Sequence, residues 1–152
     1  MIVLIAAALI FLADRVTKIW VSKKIPQGEY REIVADKLYI ANIKNKGAAY
    51  GFMAKYPELL MACTSISLVW LVKSLIEAFR NNASLTEKLG LAFILGGAAG
   101  NVFDRARKKP VTDFIYIKHK KWKNAPVFNI ADIFIFIGAL LYLFKNLTKG
   151  SK

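Results

Sequence analysis

Four apolar segments, separated by charged connections, constrain the fold of this chain more than any other feature. They are Met1–Val21, Leu59–Ile76, Leu89–Phe103 and Val127–Phe144. A transmembrane helix needs roughly 20 mostly apolar residues, and if all four segments formed a buried core, almost no chain would remain to cover them. The sequence therefore predicts a four-transmembrane-helix bundle in a single domain, residues 1–152, with helices at about 1–21, 59–78, 86–105 and 127–146.

The composition combines many hydrophobic residues with a strong positive charge. Hydrophobic residues make up 56% of the chain, and 23 Lys and Arg stand against 10 Asp and Glu. Disorder is excluded because disordered chains contain too few hydrophobic residues to form a core. Nucleic-acid binding would explain the basic charge but not the apolar segments, so no nucleic-acid partner is expected. Contact with membrane lipids explains both features.

The first apolar segment is expected to remain in the folded protein rather than to act as a cleaved signal peptide. No basic side chain precedes Asp14, and no small-residue cleavage motif follows the apolar run. The single cysteine, Cys63, lies inside the second apolar segment, so an internal disulfide is excluded and a lipoprotein cleavage site is not expected.

The connections between the apolar segments differ in character. Glu29–Ile43 is rich in Tyr, Ile and Val and predicts two or three short strands, forming a small β-sheet within residues 25–52. Because open sheet edges cannot face hydrocarbon, this sheet must lie outside the bilayer. Val111–Ile117 is a further extended stretch, and Ser84 with Glu87 forms a capping-box pattern before the third helix.

With four spans, the two long connections lie on one side of the membrane, which we call the loop face (residues 14–58 and 104–127). The loop face carries 17 of the 23 basic residues, nine in the first range and eight in the second. Taken alone, the positive-inside rule predicts that this face is cytoplasmic.

Four aspartates lie near the membrane edge at the loop face: Asp14, Asp104, Asp113 and Asp132. The same edge also carries Asn45, Asn101, Arg105 and Asn129. Ionisable groups at a membrane edge are costly, so by default they indicate a functional site. Each aspartate also has a structural explanation: capping or snorkelling near a helix end for Asp14, an ion pair with Arg105 for Asp104, the helix dipole for Asp132, and a solvated loop for Asp113.

The functional interpretation is that two of these aspartates share a site. Two close carboxylates cannot both ionise easily, so one keeps a proton while the other stays anionic. Such a pair can activate water, polarise a carbonyl and protonate a leaving amine, which is peptide hydrolysis without a metal or cofactor. The spacing alone does not identify the pair.

Competing chemistries fit the sequence less well. His119 is the only histidine, which excludes a multi-histidine zinc site, and Ser65 and Ser67 have no histidine partner for nucleophilic catalysis. Two non-enzymatic alternatives stay open. The aspartates could bind ions or partners in a small transporter or scaffold, or the chain could be a basic adaptor that binds lipid or nucleic acid, in which case the aspartates would be dispensable.

Two further patterns have structural explanations. Gly96 and Gly100 form a small-xxx-small pair that predicts close helix packing in lipid. The Lys118–Lys123 cluster with Trp122 is typical of a segment that contacts lipid headgroups.

Five motifs, taken together, resemble the lipoprotein signal peptidase (signal peptidase II) family. They are Asp14-Arg-Val-Thr-Lys18, Asn45-Lys-Gly-Ala-Ala-Tyr-Gly51, Gly97-Ala-Ala-Gly-Asn-Val-Phe-Asp-Arg105, Val111-Thr-Asp-Phe-Ile115 and Phe128-Asn-Ile-Ala-Asp132. They stand in the family's order and spacing over nearly the whole chain. The resemblance implies a multi-pass aspartic endopeptidase of the bacterial inner membrane, which cleaves diacylglyceryl-modified prolipoproteins immediately before the lipidated cysteine.

The resemblance also implies roles for particular residues. Asp113 and Asp132 match the catalytic pair. Six further positions match residues that line or support the site, with Lys18 as a weaker addition: Asp14, Asn45, Asn101, Asp104, Arg105 and Asn129. A monomer with no cofactor is expected. In the family the sheet is extracytoplasmic and the active site faces outward, which is opposite to the orientation that the charge distribution favours.

Overall fold

The computed structural model describes residues 1–47, 53–119 and 125–149. Within these ranges it contains four helices and four strands. In chain order they are α1 Ile2–Lys24, β1 Tyr30–Val34, β2 Leu38–Asn45, α2 Pro57–Arg80, α3 Leu85–Ala106, β3 Val111–Ile117, β4 Val127–Phe128 and α4 Ile130–Lys149. The predicted mostly helical fold with a small β-sheet is confirmed.

Helix α3 lies at the centre of the bundle and packs against the other three helices. Its glycines allow this close approach. A Cβ atom at Gly96 would lie 2.6 Å from the carbonyl oxygen of Ala7 in α1, and one at Gly97 would lie 2.5 Å from that of Ala131 in α4. The small-residue stripe therefore packs helix against helix, as the sequence predicted.

The end of the bundle away from the sheet is closed by an apolar core. Val3 of α1, Leu71 and Leu75 of α2, and Leu91 of α3 are buried together there. The α2–α3 turn at this end begins α3 with the predicted cap, because the Ser84 hydroxyl oxygen accepts a hydrogen bond of 3.2 Å from the Glu87 backbone N–H.

The sheet is antiparallel throughout, in the order β1-β2-β3-β4. The predicted range 25–52 therefore supplies only two of its strands, and the second long connection supplies the others. Val127 and Phe128 pair with Tyr116 and Ile115 as strand β4. This pairing corrects the predicted start of the fourth helix from Val127 to Ile130, because backbone groups engaged in a ladder cannot also begin a helix.

The sheet rests on the end of α1. Phe114 of β3 is buried against Val21 and Ile25 at the last turn of α1. Side chains of a strand alternate between its two faces, so Asp113, the residue before Phe114, points to the opposite face. This anchoring positions Asp113 beside α3 and α4.

Two helices, Pro57–Arg80 and Ile130–Leu147, are long and apolar enough to cross a membrane on length and composition alone. In α1 the charged Asp14 and Lys18 interrupt the apolar run, but both are buried inside the bundle. Large apolar side chains are instead exposed along the outer faces of α1, α2 and α4, including Leu9, Val69 and Phe136. That all four helices span the membrane stays a prediction.

Candidate active site

Asp113 is held on β3 by two side-chain amides. It is 3% exposed, and its Oδ2 and Oδ1 accept hydrogen bonds of 2.8 Å from Asn45 Nδ2 and 2.6 Å from Asn129 Nδ2. Asn45 lies two residues beyond Ile43, which pairs with Asp113 across β2 and β3, so both side chains share one face of the sheet. The Gly47 backbone N–H donates to Asn45 Oδ1 over 3.0 Å, which turns the amide nitrogen toward Asp113.

The environment raises the pKa of Asp113 to about 6. Burial is the main cause, because it disfavours the charged form, and the negative charge of Asp132 acts in the same direction. The hydrogen bonds from Asn45 and Asn129 and the charge of Lys18 oppose this increase in the pKa. Asp113 can therefore hold a proton closer to neutral pH than an ordinary aspartate.

Asp132 is fixed at the start of α4 by a reciprocal cap. The Asp132 backbone N–H donates to Asn129 Oδ1 over 3.0 Å, and Asp132 Oδ2 accepts from the Asn129 backbone N–H over 3.1 Å. This is a capping box in which asparagine and aspartate replace the usual residues. Asp132 Oδ1 accepts a third hydrogen bond of 3.1 Å, from Asn101 Nδ2 of α3.

Asp113 and Asp132 line the same cavity, which has a volume of about 680 Å³. Asn45, Asn101, Arg105 and Asn129 also line it, so six of the eight site residues expected from the sequence meet there. Much of the remaining wall is apolar, and three helices contribute to it through Leu60 and Thr64 of α2, Val102 of α3, and Ile135 of α4. The cavity can therefore hold a group with both polar and apolar parts.

The other two expected residues, Asp14 and Asp104, lie in a buried ion network beside the cavity. Lys18 Nζ lies 2.7 Å from Asp14 Oδ2 and 3.0 Å from Asp104 Oδ2, and Arg15 also pairs with Asp104. The ion pair that the sequence suggested between Asp104 and Arg105 is therefore wrong, because Asp104 pairs with the two cations of α1 instead. Asp14 Oδ1 accepts a 3.0 Å hydrogen bond from the Ala131 N–H, so it caps α4 rather than its own helix.

The arrangement can support acid–base chemistry on a substrate in the cavity. The carboxyl group of Asp113, with its raised pKa, and the carboxylate of Asp132 both accept hydrogen bonds from Asn129. In ranges 1–47, 53–119 and 125–149, no group of three or more His, Cys, Asp or Glu side chains converges to hold a metal ion.

Comparison with known proteins identifies the family. The model of signal peptidase (SPase) II matches residues 6–148. The chain belongs to the signal peptidase II family. A lipoprotein signal peptidase of Clostridium novyi (strain NT) is 34% identical over 139 residues, which cover 91% of this chain and 93% of that protein. One from Nitratidesulfovibrio vulgaris (strain DP4) is 38% identical over 144 residues, covering 92% and 86%.

Two solved structures of bacterial membrane enzymes share the fold of this chain. A bacterial membrane enzyme determined by the in meso method superimposes with a TM-score of 0.85 at 28% identity, covering 98% of this chain and 89% of the other. A second such structure gives a TM-score of 0.81 at 28% identity, covering 95% and 92%. Membership makes this protein a membrane-bound peptidase.

Some features of the site were undervalued or lie outside the described residues. Sequence reasoning gave Lys18 a minor part and Arg15 none, although both cations neutralise buried carboxylates. The spacing of Asp14 and Lys18, four residues apart on one helix, is the signal that could have indicated this pairing. Residues 48–51 of the second motif, and 120–123 of the basic cluster with Trp122, lie outside the described residues.

Proposed function

We propose that this protein is a membrane aspartic endopeptidase with Asp113 and Asp132 as its catalytic pair. Its reaction is the removal of the signal peptide from diacylglyceryl-modified prolipoproteins, by cleavage before the lipidated cysteine. The single observation that carries the proposal is that Asn129 contacts both carboxyl groups at the wall of one cavity, donating to Asp113 from its side-chain amide and to Asp132 from its backbone N–H. Relatives of similar length are lipoprotein signal peptidases.

The proposed mechanism uses one shared proton. The anionic carboxylate takes a proton from a water molecule as the water attacks the scissile carbonyl carbon, while the protonated carboxyl group donates to the carbonyl oxygen. The tetrahedral intermediate then breaks its C–N bond, and the leaving amine receives a proton from the pair. Asn45 and Arg105 at the cavity wall bind the substrate backbone in this scheme.

The cavity can be reached from the side of the bundle. Helix α2 packs against α3, and so does α4, whereas no comparable packing joins α2 to α4 in the described residues. Both helices contribute apolar wall residues, Leu60 of α2 and Ile135 of α4. A substrate can enter between them with its diacylglyceryl chains still in the bilayer, which avoids the cost of moving those chains into water.

The polar groups fit an enzyme better than a transporter. The aspartates lie toward the loop face, and the opposite end of the bundle is closed by Val3, Leu71, Leu75 and Leu91. An ion pathway would need polar groups through that end. The hydrogen bonds of the buried Asp113 and the partly buried Asp132 likewise fit a precise chemical site better than an adaptor in which aspartates are dispensable.

We place the protein in the bacterial inner membrane as a multi-pass monomer, with all four helices spanning and the sheet and catalytic pair on the extracytoplasmic side. The basic loop face then lies against outer-leaflet lipid. Lysines there, such as Lys23, Lys24 and Lys108, are exposed and can bind anionic headgroups, each contributing about 1 kcal/mol. This contact reconciles the outward orientation with the charge distribution.

A cleavage experiment with matched substrates tests the proposal. Purified protein in lipid is given one prolipoprotein in two forms, with and without the diacylglyceryl group on its cysteine, and cleavage is followed by gel shift and mass spectrometry. The proposal predicts cleavage of the lipidated form alone, at the bond before the modified cysteine. Equal cleavage of both forms, or cleavage elsewhere, contradicts it.

A further inference from the structure

The ammonium group of Lys18 is buried beside the proposed catalytic pair without lining its cavity. Lys18 is 3% exposed. Its Nζ contacts Asp14 Oδ2 at 2.7 Å, Asp104 Oδ2 at 3.0 Å and Asn101 Oδ1 at 2.9 Å. The two carboxylates neutralise the charge of Lys18. The third contact is with Asn101, which in turn donates a hydrogen bond to Asp132.

The contact with Asn101 decides which way that amide points. An ammonium group has three donors and no acceptor, so Asn101 must present its oxygen to Lys18. Its nitrogen is then turned to the other side, where Nδ2 donates to Asp132 Oδ1 over 3.1 Å. The reversed amide would place its N–H groups against the ammonium and its oxygen against a carboxylate oxygen.

The other two amides of the site are oriented by backbone groups. Asn45 Oδ1 accepts from the Gly47 N–H, and Asn129 Oδ1 accepts from the Asp132 N–H. Asn101 differs from these two asparagines because a cation, rather than a backbone N–H group, orients its amide. Its oxygen also lies 3.4 Å from Asn129 Nδ2, the atom that donates to Asp113, so the same amide orientation suits both carboxyl groups.

We infer that Lys18 is a positioning residue for Asp132, acting through Asn101. It fixes the Asn101 amide so that a donor faces the Asp132 carboxylate. This inference rests on the proposed function, since it assigns Asp132 a catalytic task. Lys18 itself does not line the cavity, so it acts without touching the substrate.

The test compares Lys18→Met with Arg15→Met. Both variants remove a cation of α1 that pairs with Asp104, but only Lys18 contacts Asn101. For Lys18→Met we expect kcat on lipidated prolipoprotein to fall about tenfold to a hundredfold, the range for losing a hydrogen bond to a charged group, with KM nearly unchanged. The charge of Lys18 also lowers the pKa of Asp113, so the alkaline limb of the kcat/KM profile should move to higher pH. Arg15→Met should leave both the limb and kcat per folded molecule unchanged.

A double-mutant cycle tests the route through Asn101. If Lys18 acts through that amide, adding Lys18→Met to Asn101→Ala costs little further activity, whereas independent effects multiply. If Lys18→Met does not fold, Lys18→Met with Asp14→Asn removes one charge of each sign and keeps the oxygen that caps Ala131. The same loss of kcat is expected from this double variant.

The outcomes separate this inference from the proposed function. A kcat for Lys18→Met that matches that of Arg15→Met, or multiplicative effects in the cycle, overturns the positioning role while Asp132→Asn remains inactive. Full activity of Asp132→Asn would instead overturn the proposed function, whatever the behaviour of Lys18.

Discussion

The side-chain amide of Asn129 donates a hydrogen bond of 2.6 Å to Oδ1 of Asp113. The same asparagine caps α4 by accepting a 3.0 Å hydrogen bond from the Asp132 backbone N–H. Its own backbone N–H donates to Oδ2 of Asp132 over 3.1 Å, so one residue contacts both carboxyl groups, one through its side-chain nitrogen and the other through its backbone nitrogen. Because Asn129 is 1% exposed, water cannot easily replace either hydrogen bond.

Two substitutions of Asn129 separate these roles. Serine can still cap a helix but is too short to reach Asp113, so Asn129→Ser should lower kcat on lipidated substrate by about 100-fold or more, with the free energy of unfolding changed by less than about 1 kcal/mol. Asn129→Ala should lose similar activity and about 1 kcal/mol of stability. Activity of Asn129→Ser close to that of the unmodified protein would show that the contact with Asp113 is unimportant.

The pH dependence of kcat/KM follows from the raised pKa of Asp113. The mechanism needs one proton on the pair, and kcat/KM reports ionisation of the free enzyme. It should therefore fall as the pH rises through about 6. The hydrogen bond from Asn45 favours ionised Asp113 and lowers its pKa, so Asn45→Ala should move this alkaline limb to higher pH. A limb that moves to lower pH would contradict the assigned proton.

Sequence reasoning found the residues of the site but not all of their partners. The carboxylates, asparagines and Arg105 could be named because each lies at the end of an apolar segment or in the connection beside it. Lys18 was undervalued because hydropathy counts a charge in the same way whether it faces lipid or a buried carboxylate. Its neighbours Asn101 and Asp104 are more than 80 positions away along the chain, so only packing of α1 against α3 reveals the network.

The sheet, too, could be predicted from the sequence only in part. Val111–Ile117 and Glu29–Ile43 could be read as extended from their composition. Their pairing could not, because it joins β2 to β3 across two intervening helices. Val127–Phe128 is too short to be distinguished from the apolar helix that follows it, and only pairing with Tyr116 and Ile115 identifies it as a strand.

Close packing of α3 on α4 predicts a sensitive glycine. In Gly97→Ala the new Cβ would lie 2.5 Å from the Ala131 carbonyl oxygen, a backbone atom that cannot rotate away. Displacing the first turn of α4 should cost about 1–3 kcal/mol and move Asp132, so thermal stability and activity should fall together. Ala8→Val adds volume at an exposed position of α1 and should change neither. An unaltered melting temperature for Gly97→Ala would contradict this packing.

The proposed contact of the basic loop face with anionic lipid predicts a salt effect. In vesicles that contain phosphatidylglycerol, raising the salt concentration should lower the rate of cleavage, because surface charge is screened within a Debye length. In phosphatidylcholine vesicles the rate should depend little on salt. Charge reversal of the exposed pair Lys23 and Lys24, by K23E with K24E, should reduce the difference between the two lipids. Salt-independent cleavage in the anionic vesicles would contradict the lipid contact.

The central claim is that Asp113 and Asp132 together hydrolyse the peptide bond, and single-turnover cleavage of a lipidated prolipoprotein tests it most directly. Asp113→Asn and Asp132→Asn keep the size of each side chain but remove its ability to exchange a proton. Each variant should lower the single-turnover rate by at least about 1,000-fold, and the double variant should be little worse, because residues that act as a unit are not additive. Melting curves should show that all three variants are folded. Cleavage by either folded single variant within about tenfold of the unmodified protein would contradict the assignment.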